Sequence, residues 1–192
     1  MNDFFSLGPN GGFFWEQLRP WIKAGDKVLD LECGAGSLLD VLVDQDIHYV
    51  GLDNSPRLVR TARKKYPNQQ FLVGDLLKVT FPSDTFDKAL TLFDKAPTLT
   101  FIQRLPSEEK QLDVLSEARR ILKPFGLLFF EVWFPPSDWS LLHLQAGRES
   151  FPRSGLKDLR RLTQKVGLEV VQQGERKLAK KEKLFYLIAK KV

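Results

Sequence analysis

Apolar residues fall along this chain in short unbroken runs, separated by longer stretches where they recur every three or four positions. The runs predict strands at 27–31, 48–52, 70–73, 86–93, 127–134, 168–172 and 184–189. The recurring pattern predicts helices between them. One spans 37–43, with Leu38, Leu39, Val41, Leu42 and Val43 inward, and a second spans 56–66, with Pro56 at its first position. A third runs to Leu122 from an N-cap at Ser107 and is stopped by Pro124 and Gly126; a fourth covers 154–166 and ends at Gly167. Phe13, Phe14, Leu18, Trp21 and Ile22 recur at helical spacing near the start and predict a short amphipathic helix. Residues 135–153 read as an irregular insert containing aromatic residues and proline.

Strands alternating with helices imply an α/β fold, a mainly parallel sheet covered on both faces. No helix separates the last two strands, so they are expected to pair as a hairpin, with the final strand antiparallel to the rest. A nicotinamide-dependent dehydrogenase would instead be expected to finish with parallel strands. At 192 residues the chain has room for one domain, 1–192, with an N-terminal helical arm at 1–24 and the insert at 135–153.

Composition narrows the class. Hydrophobic residues at 43% and charged residues at 28% fit a globular protein and are too apolar for disorder. No apolar run is long enough to cross a bilayer, and the first residues lack the features of a signal peptide, so the expected location is cytoplasmic. A single cysteine, Cys33, excludes an internal disulfide framework and a multi-cysteine metal site; no metal is expected. The net charge of +5 sits in one place. Between Glu175 and Lys191, seven basic residues (Arg176, Lys177, Lys180, Lys181, Lys183, Lys190, Lys191) face two acidic ones (Glu175, Glu182), an excess of five. Such an edge grips phosphates, or it is a solvated hairpin whose lysines prevent edge-to-edge pairing.

The chemistry concentrates where the first strand ends. Val28-Leu29-Asp30-Leu31-Glu32-Cys33-Gly34-Ala35-Gly36 feeds a strand into a glycine-rich loop, where backbone must approach a ligand closely and the next helix offers unpaired N–H groups. Asp53 ends the second strand, 23 residues after Asp30, where a carboxylate can accept from both hydroxyls of a ribose. Gly74-Asp75-Leu76 follows the third strand, Phe86-Asp87-Lys88 opens the fourth, and Leu122-Lys123-Pro124-Phe125-Gly126-Leu127 makes a turn before the fifth. This ordered set resembles the class I S-adenosylmethionine-dependent methyltransferases. The resemblance implies a Rossmann-like three-layer sandwich with strand order 3-2-1-4-5-7-6 and S-adenosyl-L-methionine as cofactor. It further implies cofactor-binding roles for Asp30, Glu32, Gly34, Gly36, Asp53, Asn54, Asp75, Leu76 and Phe93, with Asp30 orienting the amino group and Asp75 and Leu76 meeting the adenine.

Structural readings stand beside these. Asp53 can cap the helix at Pro56, Asp75 can be a turn residue, and Lys123–Gly126 is largely a helix stop. Two positions depart from the family pattern: Phe125 and Glu32 each replace a glycine. Glu32 is read first as a tolerated variant whose side chain turns to solvent, so that Glu32→Gly preserves or improves binding. A carboxylate holding the cationic amino group or sulfonium, and a pocket that no longer binds cofactor, are the alternatives.

The acceptor is read mainly by exclusion. Phe93-Asp94-Lys95-Ala96-Pro97 is not the N/D-P-P-Y/F motif of exocyclic nitrogen methylation, and Cys33, inside the loop, is not placed as the nucleophile of cytosine methylation. Asp94 and Lys95, leaving the fourth strand, and His143, in the insert, are the candidate catalytic residues. Asp94 with Lys95 can instead be a surface pair, and His143 a packed residue. Phe4, Phe5, Phe13, Phe14, Trp133, Phe134 and Trp139 are candidates for an apolar lid or for core. The expected partner is a small-molecule or protein methyl acceptor, with no membrane partner. An RNA-associated methyltransferase using the basic hairpin and a non-catalytic binding module are the alternatives.

Overall fold

The computed structural model of the chain describes residues 16–42, 44–75, 77–91, 102, 105, 107–134, 156–179 and 182–192. Seven strands form one sheet: β1 (Lys27–Leu31), β2 (His48–Asp53), β3 (Gln70–Val73), β4 (Phe86–Thr91), β5 (Leu122–Phe134), β6 (Leu168–Ala179) and β7 (Glu182–Lys191). Their order is β3-β2-β1-β4-β5-β7-β6. Pairs among the first five strands are parallel, and β7 is antiparallel to both β5 and β6. β7 therefore runs against its neighbours, as the missing helix before it predicts and as a dehydrogenase sheet would not.

Helices α1 (Leu39–Leu42), α2 (Pro56–Lys65), α3 (Glu108–Ile121) and α4 (Leu156–Lys165) cover the sheet, with a 3-10 turn at Arg19–Trp21. Alternate strand residues enter two apolar clusters, one on each face. Leu29, Leu31, Leu52, Ala89, Leu128 and Phe130 pack with Leu115 and Ala118 of α3 and Leu159 and Leu162 of α4. Val28, Tyr49, Leu90, Phe129 and Ile188 pack with Leu39 and Leu42 of α1, Val59 and Ala62 of α2, and Leu18 and Ile22 of the arm. No helix among the described residues is long and apolar enough to cross a membrane.

Several boundaries differ from expectation. The helix expected over 37–43 shrinks to α1 because 34–38 are spent turning the loop. β5 starts at Leu122, not 127: the chain passes from α3 directly into strand, and Phe125 takes the left-handed φ of 64° that makes glycine the usual residue there. β6 and β7 both outrun their predicted spans. Phe130 pairs with Thr91, the last described residue of β4, and β5 runs on to Phe134, which pairs with Lys183 of β7.

Candidate functional site

The loop after β1 is fastened to β2 by backbone. Beyond Leu31, Glu32 takes φ 64° and swings the chain over the neighbouring strand. Cys33 N–H then donates to Leu52 O at 3.1 Å and Gly34 N–H to Asp53 Oδ2 at 2.9 Å. Gly36 N–H closes the turn on Cys33 O at 2.8 Å. Gly36 has φ 81°, and a Cβ there would lie 3.1 Å from both Phe71 and Tyr66, so the position demands glycine on two counts.

Asp53 is buried, and both its oxygens are engaged by backbone: Oδ2 by Gly34 and Oδ1 by Ser55 N–H at 2.8 Å. It does not cap α2. That role belongs to Ser55, whose Oγ accepts from Leu58 N–H at 3.4 Å. Asp53 is instead a carboxylate locked in place at the carboxyl edge, with lone pairs remaining on each oxygen. Asp30 is buried on β1 and accepts from Tyr49 Oη at 2.6 Å. Burial, and then the nearby Asp30 charge, push the Tyr49 hydroxyl well above its ordinary value, so it remains a donor. The Cys33 thiol is likewise pushed up, first by burial and then by Asp30 and Asp53. A protonated buried thiol is a poor nucleophile, which agrees with the exclusion of cysteine chemistry.

Asn54 is exposed beside Asp53. Asp75 is exposed and accepts from Leu77 N–H at 2.9 Å, so it does hold the turn that follows β3. Glu32 is half-buried, not turned fully to solvent. Leu76, Phe93, Asp94, Lys95 and His143 lie outside the described residues, as do 1–15, most of the 92–106 stretch and 135–155.

Two of the motif signals prove to be one structural clasp. Lys123 Nζ meets Asp87 at 2.9 and 2.8 Å, and Lys27 N–H donates to Asp87 Oδ2 at 2.9 Å, tying the start of β5 to the starts of β1 and β4. Burial raises the Asp87 carboxyl, but the Lys123 and Lys27 hydrogen bonds outweigh it and hold the group below its usual value. A depressed carboxyl contributes stability above the ordinary carboxylate range and loses it as pH falls through the lowered value. Denaturant unfolding should therefore show Asp87→Asn about 1 kcal/mol less stable at pH 7, with the gap closing below about pH 4. An unchanged gap at low pH would contradict this account.

Sequence reasoning passed over Glu131. It is buried on β5, one position past the Phe130–Thr91 pair and opposite Tyr186 on β7. The signal was a single charged residue inside the apolar run 127–134, since a glutamate is rarely buried without a role. On the same face, Tyr186 Oη donates to Gln17 Oε1 at 3.1 Å, and Gln172 bridges Tyr186, Gln17 and Trp21. Of the basic residues at the hairpin, Lys183 pairs with Glu175, Lys190 with Glu169 and Lys191 with Asp84.

A parallel sheet that reverses its winding between β1 and β4 opens a crevice outside the carboxyl ends of those strands. Here that crevice is bordered by a stapled glycine loop and a buried carboxylate held by two backbone N–H groups, as in an α/β domain that takes its ligand at the switch point. The model of the methyltransferase domain family matches residues 29–130, and the chain belongs to that family. A demethylmenaquinone methyltransferase of Paenarthrobacter aurescens is 28% identical over 137 residues, 67% of this chain and 47% of the relative. A mouse tRNA (carboxymethyluridine(34)-5-O)-methyltransferase is 29% identical over 62% of this chain and 17% of its own length. The chain spans about half the length of the first of these. A solved S-adenosylmethionine-dependent methyltransferase of Methanosarcina mazei superposes with a TM-score of 0.75 at 20% identity, covering 92% of this chain and 97% of its own, a likeness of fold. The cofactor of this class is S-adenosylmethionine. The donor set fits it: buried acids at the ends of β1 and β2, and a loop whose glycines bring backbone close.

Proposed function

We propose that the chain transfers a methyl group from S-adenosylmethionine to a small molecule, or else to a protein side chain. The observation that carries the reading is Asp53, fixed by Gly34 and Ser55 at the rim of the glycine loop. Bound there, S-adenosylmethionine supplies an electrophilic methyl on a sulfonium. Asp53 accepts from the ribose hydroxyls, with Asn54 beside it. Gly34 and Gly36 admit the methionine half, Asp30 orients its amino group, and Asp75, Leu76 and Phe93 border the adenine and sulfur. Positioning and exclusion of water then do much of the work of an in-line displacement. Asp94, Lys95 and His143 remain the acceptor-side residues proposed from sequence. Glu131, buried on β5 opposite Tyr186, joins them as a candidate proton acceptor.

The small-molecule reading is supported by relatives named for demethylmenaquinone. A second reading, an RNA acceptor, is favoured by the basic residues where β7 pairs with the carboxyl end of β5 and by relatives named for tRNA. Methyl-labelled cofactor incubated in parallel with a demethylated naphthoquinol and with tRNA transcripts separates the two. Label in the quinol fraction supports the first, label in RNA that is lost as salt rises supports the second, and cofactor binding with label in neither removes both the quinol and the RNA as acceptors.

A further inference from the structure

The hairpin is not alone in carrying an excess of five positive charges. Helix α2 holds Arg57, Arg60, Arg63, Lys64 and Lys65 and no acidic residue. Two of these serve the fold from the flanks of the helix. Arg63 donates to Phe71 O from Nε at 3.1 Å and Nη2 at 2.6 Å, and Lys65 Nζ meets Asp40 at 2.8 Å. Arg57, Arg60 and Lys64 recur at the i, i+3 and i+7 spacing of one helical face, away from buried Val59 and Ala62. All three are exposed, and none meets an acid or a side-chain acceptor among the described residues. Helices α3 and α4 treat their charges differently: Lys110 meets Asp113, Arg120 meets Glu117, and Arg161 and Lys165 both meet Glu108. The α2 stripe repels itself instead. Arg57 with Arg60, and Arg60 with Lys64, are like-charge neighbours, and Arg57 opposes the helix dipole in a first turn that has no acid. A polyanion lying on the stripe would relieve that repulsion.

The make-up of the stripe selects the polyanion. A protein partner would be met by apolar or aromatic anchors at the centre of the contact, and the stripe has none. A membrane-surface helix needs its apolar face free, whereas Val59 and Ala62 of α2 are spent on the core. Entry into a duplex groove needs a helix standing clear of its domain, and Arg63 and Lys65 tie both flanks of α2 down. Cations alone suit a sugar–phosphate backbone. From Arg57 to Lys64 the helix rises about 10 Å, room for about three phosphates of one strand. The stripe also begins at the carboxyl edge of the sheet, four residues beyond Asp53, so a strand held there reaches the rim of the crevice. We infer that Arg57, Arg60 and Lys64 form a docking stripe for the phosphate backbone of single-stranded RNA. The inference deepens the RNA reading and rests on it.

Fluorescence anisotropy of the full chain with a dye-labelled single-stranded RNA of mixed sequence tests it. Combining Arg57→Gln, Arg60→Gln and Lys64→Gln should weaken binding at least about tenfold at about 0.1 M salt, and should flatten the slope of log affinity against log salt by about 2. Combining Lys110→Gln, Lys157→Gln and Arg160→Gln removes the same charge from α3 and α4 on the other face, and should cost about twofold at most. The α2 variant should keep its thermal midpoint and its S-adenosylmethionine affinity, because glutamine sustains a helix and the like-charge repulsion is gone. Equal losses in the two variants overturn the inference. So does tighter binding of duplex DNA, or of phosphatidylserine vesicles, than of the RNA. RNA that is bound through α2 but takes no label from methyl-labelled cofactor removes RNA as the acceptor and upholds the stripe. RNA that takes label with α2 neutralised as well as with it intact upholds the acceptor and removes the stripe. If the unaltered chain does not bind the RNA, both fail.

Discussion

Asp53→Asn removes measurable S-adenosylmethionine binding, a loss of at least about a hundredfold, while the domain stays folded. The carboxylate has two tasks at once. Its oxygens accept from Gly34 and Ser55 N–H groups, which fixes its orientation, and each keeps a lone pair for the proposed ribose hydroxyls. An amide offers one carbonyl oxygen in place of two acceptors, so one backbone N–H loses its partner and an NH₂ donor points where a hydroxyl must donate. The unpaired N–H costs about 1–3 kcal/mol, which a domain with 5–15 kcal/mol of stability survives. Loss of both ribose hydrogen bonds to a charged acceptor costs about 3 kcal/mol or more, and misplacing the loop through Gly34 adds to it. Asp53→Ala should lose binding equally. Calorimetry read together with a circular-dichroism melt checks the claim: a folded variant that keeps wild-type affinity would remove Asp53 from the ribose site and with it the main support for the proposed function.

Much of this was legible because local and tertiary signals agreed. β1 and β3 match their predicted spans, each an apolar run ended abruptly by turn residues. The antiparallel last strand followed from a missing helix. The sheet order came only with the family resemblance, and the structure agrees with it. What misled was punctuation taken at face value. Pro124 and Gly126 read as a gap between helix and strand, yet proline suits the start of a strand and Gly126 packs against Lys123 O and Asp87 O, where a Cβ would stand 2.8 and 3.2 Å away. β6 and β7 came out short because their added residues are largely polar, and their extended conformation is imposed by pairing with each other and, for β7, with β5, not by their own pattern. At the site, the motif residues were visible but their fastenings were not. Gly34 N–H on Asp53 and Cys33 N–H on Leu52 O are backbone contacts, which residue identity does not encode. Asp87 and Lys123 read as separate family signals because 36 residues divide the two ends of their ion pair.

Gly51→Ala should cost about 2 kcal/mol of stability and weaken cofactor binding as well, although the residue touches no ligand. Gly51 pairs with Asp30 in the middle of the sheet, where glycine is intrinsically a poor strand former, so propensity alone predicts that alanine stabilises. Packing reverses the sign. A Cβ at this position would stand 2.6 Å from Phe71 Cδ1, 2.8 Å from Cys33 Sγ and 3.0 Å from Cys33 Cβ. None of these neighbours is a free end: Phe71 is wedged between the Tyr49 and Tyr66 rings, and Cys33 is held by its own N–H on Leu52 O. Overpacking a buried site of this kind costs about 1–3 kcal/mol. The absent side chain at 51 is what lets the loop lie flat on β2, so lifting Cys33 also draws Gly34 away from Asp53. Removing the sulfur with Cys33→Ala should restore part of both losses in the double variant, because the 2.8 Å conflict disappears while the Phe71 conflict remains. Urea midpoints and S-adenosylmethionine titrations across that cycle measure the coupling. Strictly additive effects of the two substitutions would mean that Gly51 does not support the loop.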